Sequence, residues 1–98
     1  MTTLLDDEQI VAALDGLTDW QREGNAIVRT TKLPSFPAAI EAVRAVAEIA
    51  EALNHHPDID IRWRTVTFRC STHSAGGITD LDIELARRID HLLAGSTS

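Results

Sequence analysis

The chain has 98 residues, of which 44% are hydrophobic and 24% charged, and its formal net charge is −6. This acidic balance disfavours broad binding to nucleic-acid phosphates, which requires a basic face. No apolar run approaches the roughly 18 residues that span a membrane, and the acidic start does not resemble a signal peptide. The single cysteine, Cys70, rules out an internal disulfide and is typical of a reducing compartment, so we expect a cytoplasmic protein.

A short helix and a hairpin are predicted first. Acidic residues followed by spaced apolar residues predict a helix over residues 6–14. The Gly24-Asn25 pair lies between two strand-like runs within residues 18–34 and predicts the turn of a β-hairpin. Trp20 is expected to anchor the first of these strands.

A long alanine-rich segment predicts the second helix. Ser35 can cap its start, and Asn54 followed by Pro57 ends it. The face expected to be buried consists of apolar residues at helical spacing: Phe36, Ile40, Val43, Ala47, Ala50 and Leu53.

Alternating apolar residues then predict two more strands. They occupy odd positions over 59–63 and even positions over 66–70, and the change of parity predicts a tight turn or bulge at residues 64–65. The last helix has a clear start signal, since Thr79 and Asp82 form a capping-box pattern with Asp in place of the usual Glu.

The predicted order is therefore α-β-β-α-β-β-α. It is an α+β fold, in which three helices cover one face of a four-stranded antiparallel sheet. Residues 1–98 are expected to form one domain, with a flexible tail over about 94–98. The other sheet face remains for water or another subunit, and uncovered sheet edges invite pairing, so we expect a homo-oligomer.

Three histidines are the candidate chemical groups. His55 and His56 stand where the long helix should end, and His73 follows the last strand, so a returning hairpin would bring it close to the pair. They could simply be polar residues at a helix end, where a cation is favourable. They could bind zinc, but adjacent side chains in extended backbone point apart and rarely share an ion. Acid–base chemistry is the stronger interpretation, because imidazole titrates near neutral pH.

Other polar residues have simpler interpretations. Glu51 lies four residues before His55 and could orient or stabilise a charged imidazole there, although a solvated helix carboxylate is equally compatible with the spacing. Asp82 is interpreted as the cap of its own helix. Cys70 and Trp63 are expected in the core, although Trp63 could instead form the wall of a pocket.

The histidines belong to a longer spaced pattern over residues 51–90. Taken as a whole, that pattern resembles the pterin-4a-carbinolamine dehydratase family (4a-hydroxytetrahydrobiopterin dehydratase). The residues that carry the resemblance are Glu51-x-x-x-His55-His56-Pro57, then Thr72-His73-x-x-Gly76-Gly77-Ile78-Thr79-x-x-Asp82-x-x-Leu85-Ala86.

The resemblance implies an enzyme, a hydro-lyase that dehydrates 4a-hydroxytetrahydropterin to quinonoid dihydropterin in tetrahydrobiopterin recycling. It implies no metal and no separate cofactor, because the pterin is the substrate. The implied catalytic residues are His55, His56, His73 and Glu51. The implied substrate-binding residues are Asn54, His55, His56, Ser71, Thr72, His73 and Ser74, with backbone groups of Asn54, Ser71, Thr72 and Ser74 holding the pterin edge.

The roles of the histidines stay open at this point. The end of the helix and Glu51 would both favour an imidazolium at His55, which favours His55 as the acid. The implied partners are the pterin and further copies of the chain, as a homodimer or homotetramer, with no direct nucleic acid and no membrane. The alternative function on the same fold is a non-catalytic binding or assembly module, because members of the family also serve as dimerisation cofactors of a transcription factor.

Overall fold

The computed structural model describes residues 3–96, with side chains described through Ala94. The elements follow the predicted order, which confirms the α+β class. In chain order they are α1 (Asp7–Asp15), β1 (Gln21–Glu23), β2 (Ala26–Lys32), α2 (Phe36–Leu53), β3 (Asp58–Arg62), β4 (Thr65–Cys70) and α3 (Asp80–Ser96). Helix α3 extends through Ser96, and residues 97–98 of the predicted tail lie outside the described residues.

The sheet is antiparallel throughout, in the order β1-β2-β4-β3. In the central strand β4, buried residues alternate with more exposed ones, so Phe68 is fully buried while Arg69 is exposed. Because directly opposed residues share a face, Ile59 of β3 lies on the buried face with Phe68, and Asp58 lies on the outer face with Arg69. Each inward side chain adds to the core under the helices, and the outer face carries mostly polar side chains.

Helix α2 begins and ends as predicted. The Ser35 hydroxyl accepts a hydrogen bond from the Ala38 amide at 3.1 Å, and the helix ends at Asn54. The predicted buried face is only partly right, because Phe36 and Ile40 are 47% and 44% exposed. The helix buries mainly small residues, and it packs most closely against α3. The buried residues are Ala39, Ala42, Val46 and Ala50.

Trp20 anchors the first hairpin to the last helix, as its predicted role requires. It is 4% exposed, and its indole Nε1–H donates to Asp90 of α3 at 2.7 Å. Arg29 of β2 donates to the same carboxylate oxygen at 2.6 Å. A single aspartate therefore ties α3 to strand β2 and to the residue just before β1.

Trp63 does not lie in the core, which corrects the prediction. It is 68% exposed and has a left-handed backbone, with φ of 56°. Arg62 and Thr65 are the last paired residues of β3 and β4, so Trp63 and Arg64 form the turn between them. The Arg64 guanidinium lies over the indole ring, 4.6 Å from its centroid.

No helix within residues 3–96 combines the length and the apolar character that crossing a membrane requires.

Candidate functional site

The end of α2 turns two adjacent histidines in opposite directions. Asn54 adopts the left-handed conformation, with φ of 51° and ψ of 42°, and the His55 amide donates back to the Ala50 carbonyl at 3.0 Å. After this turn the chain is no longer helical, so successive side chains point to different sides. His55 is 9% exposed, whereas His56 lies on the surface.

The third histidine is carried by a tight loop after β4. Thr72 and Gly77 form an isolated antiparallel bridge, closed by the Thr72 amide donating to the Gly77 carbonyl at 2.8 Å. Gly76 has a φ of +79°, so the loop uses the conformational freedom that glycine provides. His73 follows Thr72 directly and is exposed on this loop.

Asp82 is the centre of a buried polar network. One oxygen of its carboxylate contacts Nε2 of His55 at 2.6 Å. The other oxygen accepts hydrogen bonds from the Thr72 hydroxyl at 2.8 Å and from the Thr79 amide at 2.9 Å. Asp82 and Thr79 are fully buried, and Thr72 is 5% exposed. A buried carboxylate is tolerated only when it is hydrogen-bonded in this way.

The network also fixes hydroxyl orientations and the histidine tautomer. The Thr72 hydroxyl donates its proton to Asp82. Thr79 is therefore the donor in the 2.7 Å hydrogen bond between the Thr72 and Thr79 hydroxyls. An ionised carboxylate only accepts, so Nε2 of His55 carries a proton. Nδ1 is then the ring nitrogen of His55 that the network leaves free of Asp82.

Glu51 pairs with His56 and not with His55, which corrects the expected support for His55. Its carboxylate oxygen Oε2 contacts Nε2 of His56. The side chains are 76% and 55% exposed, so water surrounds this pair. The i,i+4 relation assumed for Glu51 and His55 holds only inside a helix, and the left-handed turn at Asn54 ends the helix between them.

A polar cavity of about 240 Å³ lies beside His73, at the end of the outer sheet face. The Ser71 hydroxyl, on its wall, donates to the Asn25 carbonyl at 2.7 Å. The residues that line it are Asn25, Asp58, Arg69, Ser71, His73 and Gly76. A larger groove of about 530 Å³ between α1 and α3 contains no histidine, so the smaller cavity is the better candidate for the chemistry.

The predicted site residues come together to different degrees. The Thr72 hydroxyl lies 3.5 Å from His55 Nε2, and its neighbour His73 opens onto the cavity with Ser71. The Thr72 amide and carbonyl already bond within the loop, whereas Asn54 and Ser74 are exposed, and neither they nor His55 and His56 line the cavity. Within residues 3–96, no three His, Cys, Asp or Glu side chains lie in an arrangement that could hold a metal ion.

Sequence reasoning missed the contact between Asp82 and His55. The capping interpretation of Asp82 was correct, because its carboxylate accepts from the Thr79 amide, but it accounted for only one of the two oxygens. The signal that could have revealed the second role is that Asp82 is a fixed position of the spaced pattern shared with His55 and His73.

Comparison with known proteins supports the resemblance over nearly the whole chain. The family model described as pterin 4 alpha carbinolamine dehydratase matches residues 3–92. A Nocardia farcinica protein is 65% identical over 91 residues, which cover 93% of this chain and 96% of the relative. A Mycobacterium tuberculosis protein is 60% identical over 87 residues, which cover 89% and 93%. The names of both relatives assign them provisionally as pterin-4-alpha-carbinolamine dehydratases.

Two solved structures share the fold. A Brucella melitensis protein described as a transcriptional coactivator/pterin dehydratase superposes with a TM-score of 0.86 and 33% identity, covering 90% of this chain and 96% of that one. A pterin dehydratase-like protein identified as a RuBisCO assembly factor in the alpha-carboxysome has a TM-score of 0.61 and 19% identity, covering 74% and 84%. From the family model and these relatives together, the chain belongs to the pterin 4 alpha carbinolamine dehydratase family.

Proposed function

We propose that the protein catalyses the dehydration of a 4a-hydroxytetrahydropterin to quinonoid dihydropterin and water, in tetrahydrobiopterin recycling. The observation that carries the proposal is the His55–Asp82 pair, which is buried directly behind the loop that presents His73 to a polar cavity. Family membership gives the class of reaction, and the paired imidazoles give groups that can carry it out.

The reaction consists of one bond cleavage and two proton transfers. The C4a–O bond breaks, and an acid gives the departing hydroxide a proton so that it leaves as water. The N5–H proton passes to a base while its electron pair forms the C4a=N5 bond. The oxidation state does not change, so the proposed chemistry requires neither a metal nor a separate cofactor.

His55 is proposed as the acid and His73 as the base. Asp82 stabilises the charged form of His55, as a carboxylate next to an imidazolium does. His73 faces the cavity and has no side-chain partner within residues 3–96, so its ring can accept a proton from a bound substrate. His56, supported by Glu51, completes the proposed catalytic set.

The substrate is proposed to lie against the loop and the end of α2. Backbone groups of Asn54, Ser71 and Ser74 are proposed to contact the pterin. The Thr72 amide and carbonyl bond within their own loop, and its hydroxyl is proposed to position His55. These assignments predict that substitutions of the exposed residues that contact the substrate raise KM, whereas substitutions in the buried network around Asp82 lower kcat.

Stopped-flow absorbance with 4a-hydroxytetrahydropterin tests the proposal. The wild-type protein is expected to accelerate dehydration over buffer, and His55→Ala and His73→Ala are each expected to reduce kcat on the order of 10²-fold or more. His91→Ala is the matched control, because His91 is an exposed histidine on α3. No acceleration by the wild type, or full activity in the His55/His73 double variant, would contradict the proposed function.

A second candidate function is a non-catalytic binding or assembly module, favoured by the names of the two structural neighbours. We propose self-association into a dimer or tetramer, supported by the exposed apolar residues Phe36 and Ile40 on α2 and by the uncovered strand β3. Light scattering at micromolar concentration is expected to show an oligomer, and a monomer would contradict this. An oligomer without dehydratase activity would favour the second function.

We also propose that the protein acts in the cytoplasm, where Cys70 stays reduced; the thiol is free and fully buried. Fractionation of the host cell followed by detection of the chain tests this, and its recovery with the membrane or secreted fraction would contradict it.

A further inference from the structure

Two opposite charges lie beside His73 without bonding to each other. Asp58 and Arg69 are directly opposed in the pairing of β3 and β4, so both side chains leave the outer sheet face at the cavity. Asp58 makes no side-chain hydrogen bond or ion pair within residues 3–96. Arg69 reaches the other way, toward the carboxylate and carbonyl oxygens of Glu23, each at 3.5 Å, which is the outer limit for a hydrogen bond.

The next charged pair on the same strand shows what an ordinary surface pair looks like here. Asp60 and Arg62 share the outer face with Asp58, and they bond to each other at 3.1 Å. Neither lines the cavity beside His73. The contrast indicates that Asp58 and Arg69 are available to a ligand, because Asp58 has no ion-pair partner within residues 3–96 and Arg69 has only the long, exposed 3.5 Å pair with Glu23.

We propose that Asp58 and Arg69 select the 2-amino-4-oxo edge of the pterin, an inference that rests on the proposed function. That edge displays two neighbouring donors, the 2-amino group and N3–H, followed by the acceptor O4. The Asp58 carboxylate is purely an acceptor and takes the two donors. The Arg69 guanidinium is purely a donor and takes O4.

The same placement brings the reacting carbon toward the proposed base. O4 is carried by C4, and C4 is bonded directly to C4a, where the hydroxyl leaves. A pterin whose O4 lies at Arg69 therefore has C4a close to that end of the cavity, and His73 is on the cavity wall. Edge recognition and proton transfer are thus proposed to occur in neighbouring parts of one cavity.

A pair of ligands that differ only at position 2 tests the inference. Lumazine has a 2-oxo group in place of the 2-amino group of pterin, so it offers Asp58 an acceptor where pterin offers a donor. Binding of pterin and lumazine to the full chain is measured by fluorescence titration. Wild type is expected to prefer pterin on the order of ten- to a hundredfold, the range for a charge-assisted hydrogen bond gained against one left unpaired.

The variants separate the two residues. Asp58→Asn is expected to reduce the preference to about threefold or less, while Asp60→Asn, the matched control, keeps the wild-type ratio. Arg69→Gln is expected to weaken both ligands about tenfold without changing the ratio, because both carry O4, and Arg62→Gln changes neither. In the dehydratase assay, Asp58→Asn is expected to raise KM and to leave kcat within about threefold.

Failure of this inference is distinguishable from failure of the proposed function. An active wild type whose preference and KM are unchanged in Asp58→Asn overturns the role of Asp58 alone. A wild type that prefers pterin but does not accelerate dehydration supports edge selection and contradicts the reaction. A wild type that binds neither ligand and is inactive overturns both.

Discussion

Two carboxylate–imidazole pairs at the end of α2 have the same chemistry and opposite surroundings. In the first, the side chains of His55 and Asp82 are 10% and 0% exposed. In the second, the neighbouring His56 and its partner Glu51 are 55% and 76% exposed. Water screens the exposed pair, so it contributes little to stability, whereas breaking the buried pair leaves an uncompensated group in the interior. The comparison shows that surroundings, more than pairing, decide what such a contact is worth.

The largest expected effect is from Asp82→Asn, which breaks the buried pair and alters the cap of α3. We expect the free energy of unfolding to fall by about 3 kcal/mol. The buried carboxylate accepts hydrogen bonds from several donors, and the amide that replaces it cannot accept all of them. Urea denaturation measures the change, and kcat is expected to fall with it. Asp80→Asn, an exposed aspartate in the first turn of the same helix, is the control and is expected to cost less than about 1 kcal/mol. Equal costs for the two variants would remove the distinction.

Replacing the two histidines compares the pairs directly. His55→Ala is expected to destabilise the protein by about 2 kcal/mol, because Asp82 then lacks a partner inside the protein. His56→Ala is expected to change stability by less than about 0.5 kcal/mol, as is usual for an exposed pair. Urea denaturation of both variants measures the difference. A loss at His56 as large as that at His55 contradicts the contrast drawn above.

The buried Cys70 thiol is expected to make the stability of the protein depend on pH. Burial, followed by the charges of Asp82 and Asp58, raises the pKa of the Cys70 thiol far above its usual range. Because the thiol is harder to ionise in the folded protein than in the unfolded chain, its contribution to stability is fully present below about pH 8.5 and is lost as pH rises further. The loss in the free energy of unfolding reaches about 1 kcal/mol by pH 9.5. Cys70→Ala is expected to lose this part of the alkaline decline in denaturant midpoints. An unchanged decline would show that the thiol ionises as easily folded as unfolded.

The smallest effect is expected from Glu51→Gln, which neutralises the exposed pair. Stability is expected to change by less than about 0.5 kcal/mol, and the change is expected to vanish at about 0.5 M salt, where exposed charges are screened. Denaturation at low and high salt measures it. A salt-resistant loss would mean that the contact between Glu51 and His56 is shielded from water, and the two pairs would then be alike.

Most of the fold could be predicted because its signals are local. Ser35 and Asn54 mark the ends of α2 through their own hydrogen bonding and backbone conformation, and the alternation in β4 is visible over six residues. The exposure of Trp63 was not predictable from alternation, because the same apolar residue fits a strand position and the tip of the turn that follows it. The buried face of α2 was predicted only in part, because alanines occupy several faces and the periodicity of the larger residues pointed to Phe36 and Ile40.

The histidines of the candidate site could be predicted as a set, but their partners could not. The spacing of His55 and His73 is a property of the chain, whereas the carboxylate that meets His55 comes from 27 residues away. The nearer carboxylate, Glu51, was an attractive partner only on the assumption that the helix continued. Which imidazole meets which carboxylate is decided by one left-handed residue and by the docking of α3, and neither can be read from residue spacing.

The carboxylate of Asp82 has a consequence for how the protein gains activity during folding. One of its oxygens caps the first turn of α3, and the other contacts His55 at the end of α2, so this one side chain links the two helix ends. Helix formation alone cannot align the imidazole; α3 must also be seated against the loop that carries Thr72. We therefore expect catalytic competence in refolding experiments to recover with the slowest tertiary step, behind the recovery of helical signal.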